Sequence, residues 1–146
     1  MIATDTTVKE VILCKTNEYT PYPYIERGVL AGFPSPANDF SECKLDLNQL
    51  IVKNPSSTCF VRVSGSSMQK AGIFPDDLLV VDRAKEIKDK SVVIVDIDGE
   101  VLVKRIRYID GKTYLLSGEQ GSKRVEIADI HDVMIWGVVT HNIRSI

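Results

Sequence analysis

The chain has 146 residues, 44% of them hydrophobic and 26% charged, with a formal net charge of -2. A domain of this length can bury a hydrophobic core without metals or disulfides. The sequence pI near 5.7 argues against a broad nucleic-acid-binding face, because such a face needs basic residues to neutralise phosphates. Three scattered cysteines without a CxxC pair argue against a disulfide framework or a zinc site. With no targeting or membrane-spanning segment apparent, we expect a cytoplasmic protein without metal or cofactor.

The first 35 residues differ in composition from the rest of the chain. A short strand is predicted from Val8 to Cys14, and prolines and glycines then interrupt any regular element up to Pro36. We therefore predict an extended N-terminal arm over residues 1–35 and one β-domain over residues 36–146. The alternative is that the arm consists of edge strands belonging to that domain.

The remainder is predicted to begin with two short helices and to continue as strands. The helices are expected over residues 36–43 and 47–52, and Asp46 has the position of an N-cap with Gln49 at capping-box spacing. Asp98-Gly99 and Asp110-Gly111 are typical two-residue hairpin turns. Seven short strands follow Thr58, a pattern that favours a mostly β fold with a small, highly curved β-domain. They are predicted over residues 60–63, 78–81, 91–97, 101–109, 113–116, 124–127 and 133–143.

One segment, residues 63–68 (VSGSSM), places small residues at the end of a predicted strand. A serine nucleophile requires a tight turn that presents its hydroxyl, with backbone N–H groups free to bind an oxyanion. Gly65 and the serines allow such a close approach of the backbone. The segment equally fits an ordinary turn in which serine side chains hydrogen bond to their own backbone.

A serine nucleophile also requires a base, and neither His131 nor His141 has a suitable position. The other route is a lysine that burial keeps neutral. Strand alternation places Lys104 on one face with Leu102 and Ile106, so it shares that face with apolar residues. From alternation alone, a solvent-facing Lys104 is at least as well supported.

Several ordered blocks resemble the LexA/UmuD family, with the UmuD branch as the nearest match. They extend from about Val29 to Thr140, and their agreement in order and spacing is more specific than any single motif. The blocks are residues 32–37 (GFPSPA), 45–48 (LDLN), 60–68 (FVRVSGSSM), 72–73 (GI), 77–82 (DLLVVD), 99–105 (GEVLVKR) and 136–140 (WGVVT). Residues 116–122 (LSGEQGS) depart from the family, in which an Asn/Pro-containing stretch is frequent.

The resemblance implies which residues form a serine–lysine peptidase site. In the family pattern, Ser67 matches the nucleophile and Lys104 the general base, and the backbone N–H groups of Ser66 and Ser67 form the oxyanion hole. The bond Ala31–Gly32 matches the self-cleavage site. Val29 and Leu30 are then expected to occupy apolar pockets on the approach to the nucleophile.

The resemblance further implies a biological setting. Family members are homodimers that cut themselves when bound to a RecA–single-stranded DNA filament in the SOS response to DNA damage. UmuD-type proteins then act with a Y-family polymerase of the UmuC kind in error-prone translesion synthesis, and no sequence-specific DNA binding or membrane association is expected.

Three other functions remain open. The domain could serve mainly as a binding module for a polymerase, or it could be the cleavable half of a LexA-like or prophage repressor. The repressor reading is disfavoured because about 35 residues before the cut-site region are too few for a helix-turn-helix domain. A signal-peptidase-like enzyme would use similar chemistry but requires a membrane anchor.

Overall fold

The computed structural model describes residues 4–13, 22–23, 44–118, 124–128 and 132–146. Among these described residues, one short α-helix, α1 (Leu47–Ile51), and two 3-10 turns, Pro55–Ser57 and Gln69–Ala71, accompany the strands. The strands are β1 (Thr7–Leu13), β2 (Tyr22–Pro23), β3 (Lys44–Leu45), β4 (Thr58–Ser64), β5 (Leu78–Asp82), β6 (Val92–Ile97), β7 (Glu100–Ile109), β8 (Lys112–Leu116), β9 (Arg124–Ile127) and β10 (Met134–Ile143). The prediction of a mostly β fold with short helices is confirmed.

Eight strands form one antiparallel sheet in the order β1-β4-β5-β10-β6-β7-β8-β9, while β2 and β3 pair separately. The sheet curves back on itself because β1 also pairs with β7, through Thr7 and Leu102. Six strands therefore form a closed ring, and β8 and β9 extend from it. The closure places the start of β1 beside the middle of β7.

The two predicted hairpin turns connect β6 to β7 and β7 to β8. Asp98 and Gly99 have φ of 53° and 84°, and Asp110 and Gly111 have φ of 51° and 75°. Two successive positive φ angles define the type I′ turn that matches the twist of paired strands. These local turns fix the register of β7, in which Lys104 lies opposite Val93.

Strand β7 lies between two apolar clusters. Val103 belongs to one cluster with Val61, Met68 and Ile94, and the flanking residues Leu102 and Ile106 belong to the other. Both faces of this strand are therefore partly buried, and Leu102, Val103 and Ile106 all lie in the core. Lys104 lies among these residues and is itself buried.

The N-terminal region is only partly described. Residues 7–13 form β1 and pair with β4, as the edge-strand alternative expects for this segment. Residues 24–43, which include the predicted helix over 36–43, lie outside the described residues, so the domain division at residue 35 stays a prediction.

Helix α1 has Asp46 as its N-cap, with Oδ1 accepting from Asn48 N at 2.8 Å. No helix in the described part of the chain has the length and hydropathy needed to cross a bilayer.

Candidate active site

The loop after β4 presents Ser67 at a tight turn. Gly65 has φ of 90°, and a Cβ added there would lie 2.1 Å from the carbonyl oxygen of Asp5. Only glycine therefore allows the N-terminal backbone to lie this close to the loop. The side chain of Met68 is fully buried and anchors the loop in the core immediately after Ser67.

The backbone N–H groups of Ser66 and Ser67 point at one oxygen atom. Both donate to the carbonyl oxygen of Thr4, at 3.0 Å and 2.8 Å. Two N–H groups that converge on a peptide carbonyl have the geometry of an oxyanion hole. These are the two donors that the family resemblance implies, and both lie on the same side of the loop.

The hydroxyl of Ser67 hydrogen bonds to the same N-terminal segment. Its Oγ accepts from Thr6 N at 2.8 Å and donates to Thr6 Oγ1 at 3.1 Å. Thr6 is almost completely buried, with 1% of its surface exposed. The segment therefore lies directly on the predicted nucleophile.

Lys104 is buried in β7, with 9% of its surface exposed, so the solvent-facing alternative is wrong. Its Nζ donates to Ser117 Oγ at 2.5 Å and to Asp5 Oδ1 at 3.4 Å. Because Asp5 adjoins Thr6, the ammonium group and the Ser67 hydroxyl contact successive residues of one short segment. The structure thus brings Ser67 and Lys104 to one site.

The loop after β8 completes this site. A Cβ added at Gly118 would lie 3.0 Å from the carbonyl oxygen of Ser67, so the two loops are in close contact. This contact holds Ser117 beside Lys104. The site therefore combines the end of β4, the middle of β7, the end of β8 and the residues before β1.

Sequence reasoning did not identify Asp5, Thr6 or Ser117 as parts of the site. Ser117 lies in the stretch that departs from the family pattern, and that departure was the only available signal. Asp5 and Thr6 reach the site through the pairing of β1 with β7, which no local pattern encodes.

The predicted cleavage and arm-recognition residues Val29, Leu30, Ala31 and Gly32 lie outside the described residues, as does His131. His141 is exposed in β10 and hydrogen bonds to Thr140.

Comparisons with known proteins identify the family of the chain. A model of the Peptidase S24-like family matches residues 23–140. Protein ImpA of Escherichia coli is 43% identical over 114 residues, covering 78% of this chain and 77% of ImpA. Protein MucA of Escherichia coli is 37% identical over 121 residues, 83% of either chain. The LexA repressor of Pectobacterium carotovorum subsp. carotovorum is 36% identical over 100 residues, covering 68% of this chain and 48% of the repressor.

The chain therefore belongs to the Peptidase S24-like family. The resemblance to the LexA/UmuD family is confirmed, and the relatives support a UmuD-type SOS protein of the serine peptidase type.

Proposed function

We propose that this protein cuts its own chain between Ala31 and Gly32, with Ser67 as nucleophile and Lys104 as general base. The observation that carries the proposal is the convergence of the Ser66 and Ser67 N–H groups on one peptide carbonyl, beside the Ser67 hydroxyl. The buried Lys104 in the same site supports it, since its amine contacts the segment that also contacts the Ser67 hydroxyl.

In the proposed reaction, neutral Lys104 accepts the hydroxyl proton as Ser67 Oγ attacks the carbonyl carbon of Ala31. The N–H groups of Ser66 and Ser67 hold the resulting oxyanion. When the intermediate collapses, the C–N bond breaks and protonated Lys104 gives its proton to the amine of Gly32. Water then hydrolyses the ester on Ser67, with Lys104 again as the base.

Other residues would position the reacting groups. Ser117 Oγ lies 2.5 Å from Lys104 Nζ and would orient the amine. Val29 and Leu30 would bind as apolar side chains, since burying them is favourable whereas burying a polar arm is costly. Gly32 would permit the close approach of the scissile bond to Ser67.

The biological role that we propose follows the UmuD-type relatives. A RecA–single-stranded DNA filament would stimulate cutting by favouring the conformation with the arm in the site, since a ligand shifts an equilibrium only through differential affinity. The trimmed homodimer would then act with a Y-family polymerase in error-prone translesion synthesis.

The test is intact-mass measurement of the purified protein over time, with and without RecA, single-stranded DNA and nucleotide, followed by N-terminal sequencing. Ser67→Ala and Lys104→Ala should abolish cutting. The matched controls, Ser56→Ala and Lys112→Ala, change exposed residues and should cut at the normal rate.

Without activator, the rate should rise from neutral to alkaline pH, because the base acts only when neutral. A fragment that begins at Gly32 in the Ser67→Ala protein would exclude Ser67 as nucleophile.

A further inference from the structure

We propose that residues Thr4–Thr6 form an amino-terminal plug that occupies the active site and inhibits it. This inference rests on the proposed function, since it concerns the same nucleophile, base and oxyanion hole. The plug would compete with the cleavage-site residues 29–32 for one groove. Self-cleavage would then require that the plug first leaves.

Each part of the proposed catalytic apparatus has a partner in the plug. The oxyanion-hole N–H groups donate to Thr4 O, and the Ser67 hydroxyl is hydrogen bonded to Thr6 at both its donor and an acceptor position. The amine of Lys104 contacts the carboxylate of Asp5. A substrate carbonyl cannot enter the hole while Thr4 O occupies it.

The groove fits the plug along its backbone. Val103 N of β7 donates to Thr6 O at 2.9 Å, which extends the pairing of β1 and β7 by one residue. On the other side, Gly65 leaves no room for a Cβ beside Asp5 O. Thr6 Oγ1 also accepts from Met68 N at 3.3 Å. The plug is thus held by backbone contacts between β7 and the nucleophile loop, where we expect a peptide substrate to bind.

The side chain of Asp5 adds a contact to those of the backbone. Its Oδ1 lies 3.4 Å from Lys104 Nζ, so the carboxylate lies directly against the proposed base. The Asp5 side chain is 56% exposed, so solvent and salt weaken the pairing. We therefore expect the ion pair to contribute less than the backbone contacts.

The plug can leave while β1 stays paired with β4. Residues 7–13 pair with β4 along the whole of β1, whereas residues 4–6 make the contacts to Ser66, Ser67 and Lys104. Departure of the plug would break the bond from Val103 N to Thr6 O and so loosen the closure of the ring, but it would leave β1 on β4. The cost of that displacement would limit the rate of cutting in the absence of an activator.

The test uses full-length protein and a variant that lacks residues 2–6, each incubated at alkaline pH without activator. If plugged molecules outnumber open ones by about tenfold, the deletion should raise the first-order cutting rate by about tenfold. Asp5→Asn, which removes only the side-chain contact to Lys104, should give a smaller increase. Lys9→Ala, which removes the surface contact of β1 with Asp76, is the matched control and should leave the rate unchanged.

A second readout does not depend on cutting. Labelling of Ser67 by a fluorophosphonate probe should become faster in the deletion variant, and an excess of a synthetic peptide of residues 1–6 should slow it again, whereas a scrambled peptide should not. Unchanged labelling and cutting in a folded deletion variant would overturn the plug. A product that begins at Asp5 would also overturn it, because the segment would then be a substrate. If labelling persists in Ser67→Ala protein, the proposed function itself fails, so the two failures are distinguishable.

Discussion

At the scale of single residues, the buried carboxylate of Asp77 shows how the loop after the candidate nucleophile is held. The Asp77 side chain is fully buried, and Arg144 Nε and Nη2 donate to it at 2.7 Å and 2.8 Å. Asn142 and the backbone of Phe74 donate as well. These bonds, led by those from Arg144, lower the pKa of Asp77 from 3.8 to about 2 although burial opposes the shift. The carboxylate therefore ties the C-terminal residues to the loop that follows Ile73.

This pKa shift predicts a specific loss of stability in acid. Because the folded pKa lies below the unfolded value, the contribution of Asp77 is complete above about pH 4 and is lost as pH falls towards about 2. At about 1.4 kcal/mol per pKa unit, Asp77→Asn should cost about 2 kcal/mol at neutral pH and flatten the acid dependence in that window. Urea titrations followed by Trp136 fluorescence would measure it. Asp110→Asn, at an exposed turn position, is the control, and equal behaviour of the two variants would contradict the prediction.

Roles for single residues could be proposed from the sequence only with the family pattern. A serine turn and a lysine beside apolar residues left an ordinary turn and a solvent-facing lysine open, and the match to the family pattern pointed to Ser67 and Lys104. Ser117 and Asp5 could not be proposed, since each becomes part of the site through contacts between segments that are distant in sequence. A single sequence shows which residues neighbour a position along the chain, but it does not show which residues neighbour it across the sheet.

At the scale of elements, the strands after Thr58 and the hairpins β6–β7 and β7–β8 followed from local signals. Alternating side chains and Asp-Gly turns act over a few residues, so the sequence carries them directly. Partner choice is different, because β10 inserts between β5 and β6 and β1 closes the ring with β7. These pairings depend on the packing of the entire core, which no local pattern encodes.

The insertion of β10 predicts an effect at Gly137. A Cβ at this position would lie 2.9 Å from Val81 Cγ1 and 3.0 Å from Asp82 O, closer than packed atoms allow. Because the neighbouring contact is partly with backbone, Gly137→Ala should reduce the free energy of unfolding by about 1–3 kcal/mol. Met134→Ala, at an exposed position in the same strand, should change it by no more than about 0.5 kcal/mol. Chemical denaturation of both variants provides the comparison, and equal stabilities would refute the close approach.

At the scale of the whole molecule, the ring of strands and the proposed cut are linked. A cut between residues 31 and 32 would separate β1 from the rest of the chain, although β1 is one of the six strands that close the ring. The fragment 1–31 would then be held only by non-covalent contacts, chiefly the pairing of β1 with β4 and the packing of Val8 against the core. Its departure would expose the edge of β4, which could then pair with a strand of another protein.

After cutting, the stability of the protein should therefore depend on the binding of a separate peptide that carries β1. An excess of synthetic peptide 1–13 should raise the thermal midpoint of the cut protein, because a ligand that binds only the folded state stabilises it by mass action. The same peptide should leave uncut Ser67→Ala protein unchanged, since its own β1 fills the position, and this comparison removes any contribution from dimerisation. Native mass spectrometry should find fragment 1–31 still bound after cutting. If the peptide has no effect and the fragment is lost at once, β1 is dispensable, and ring closure by β1 does not contribute to the stability of the cut form.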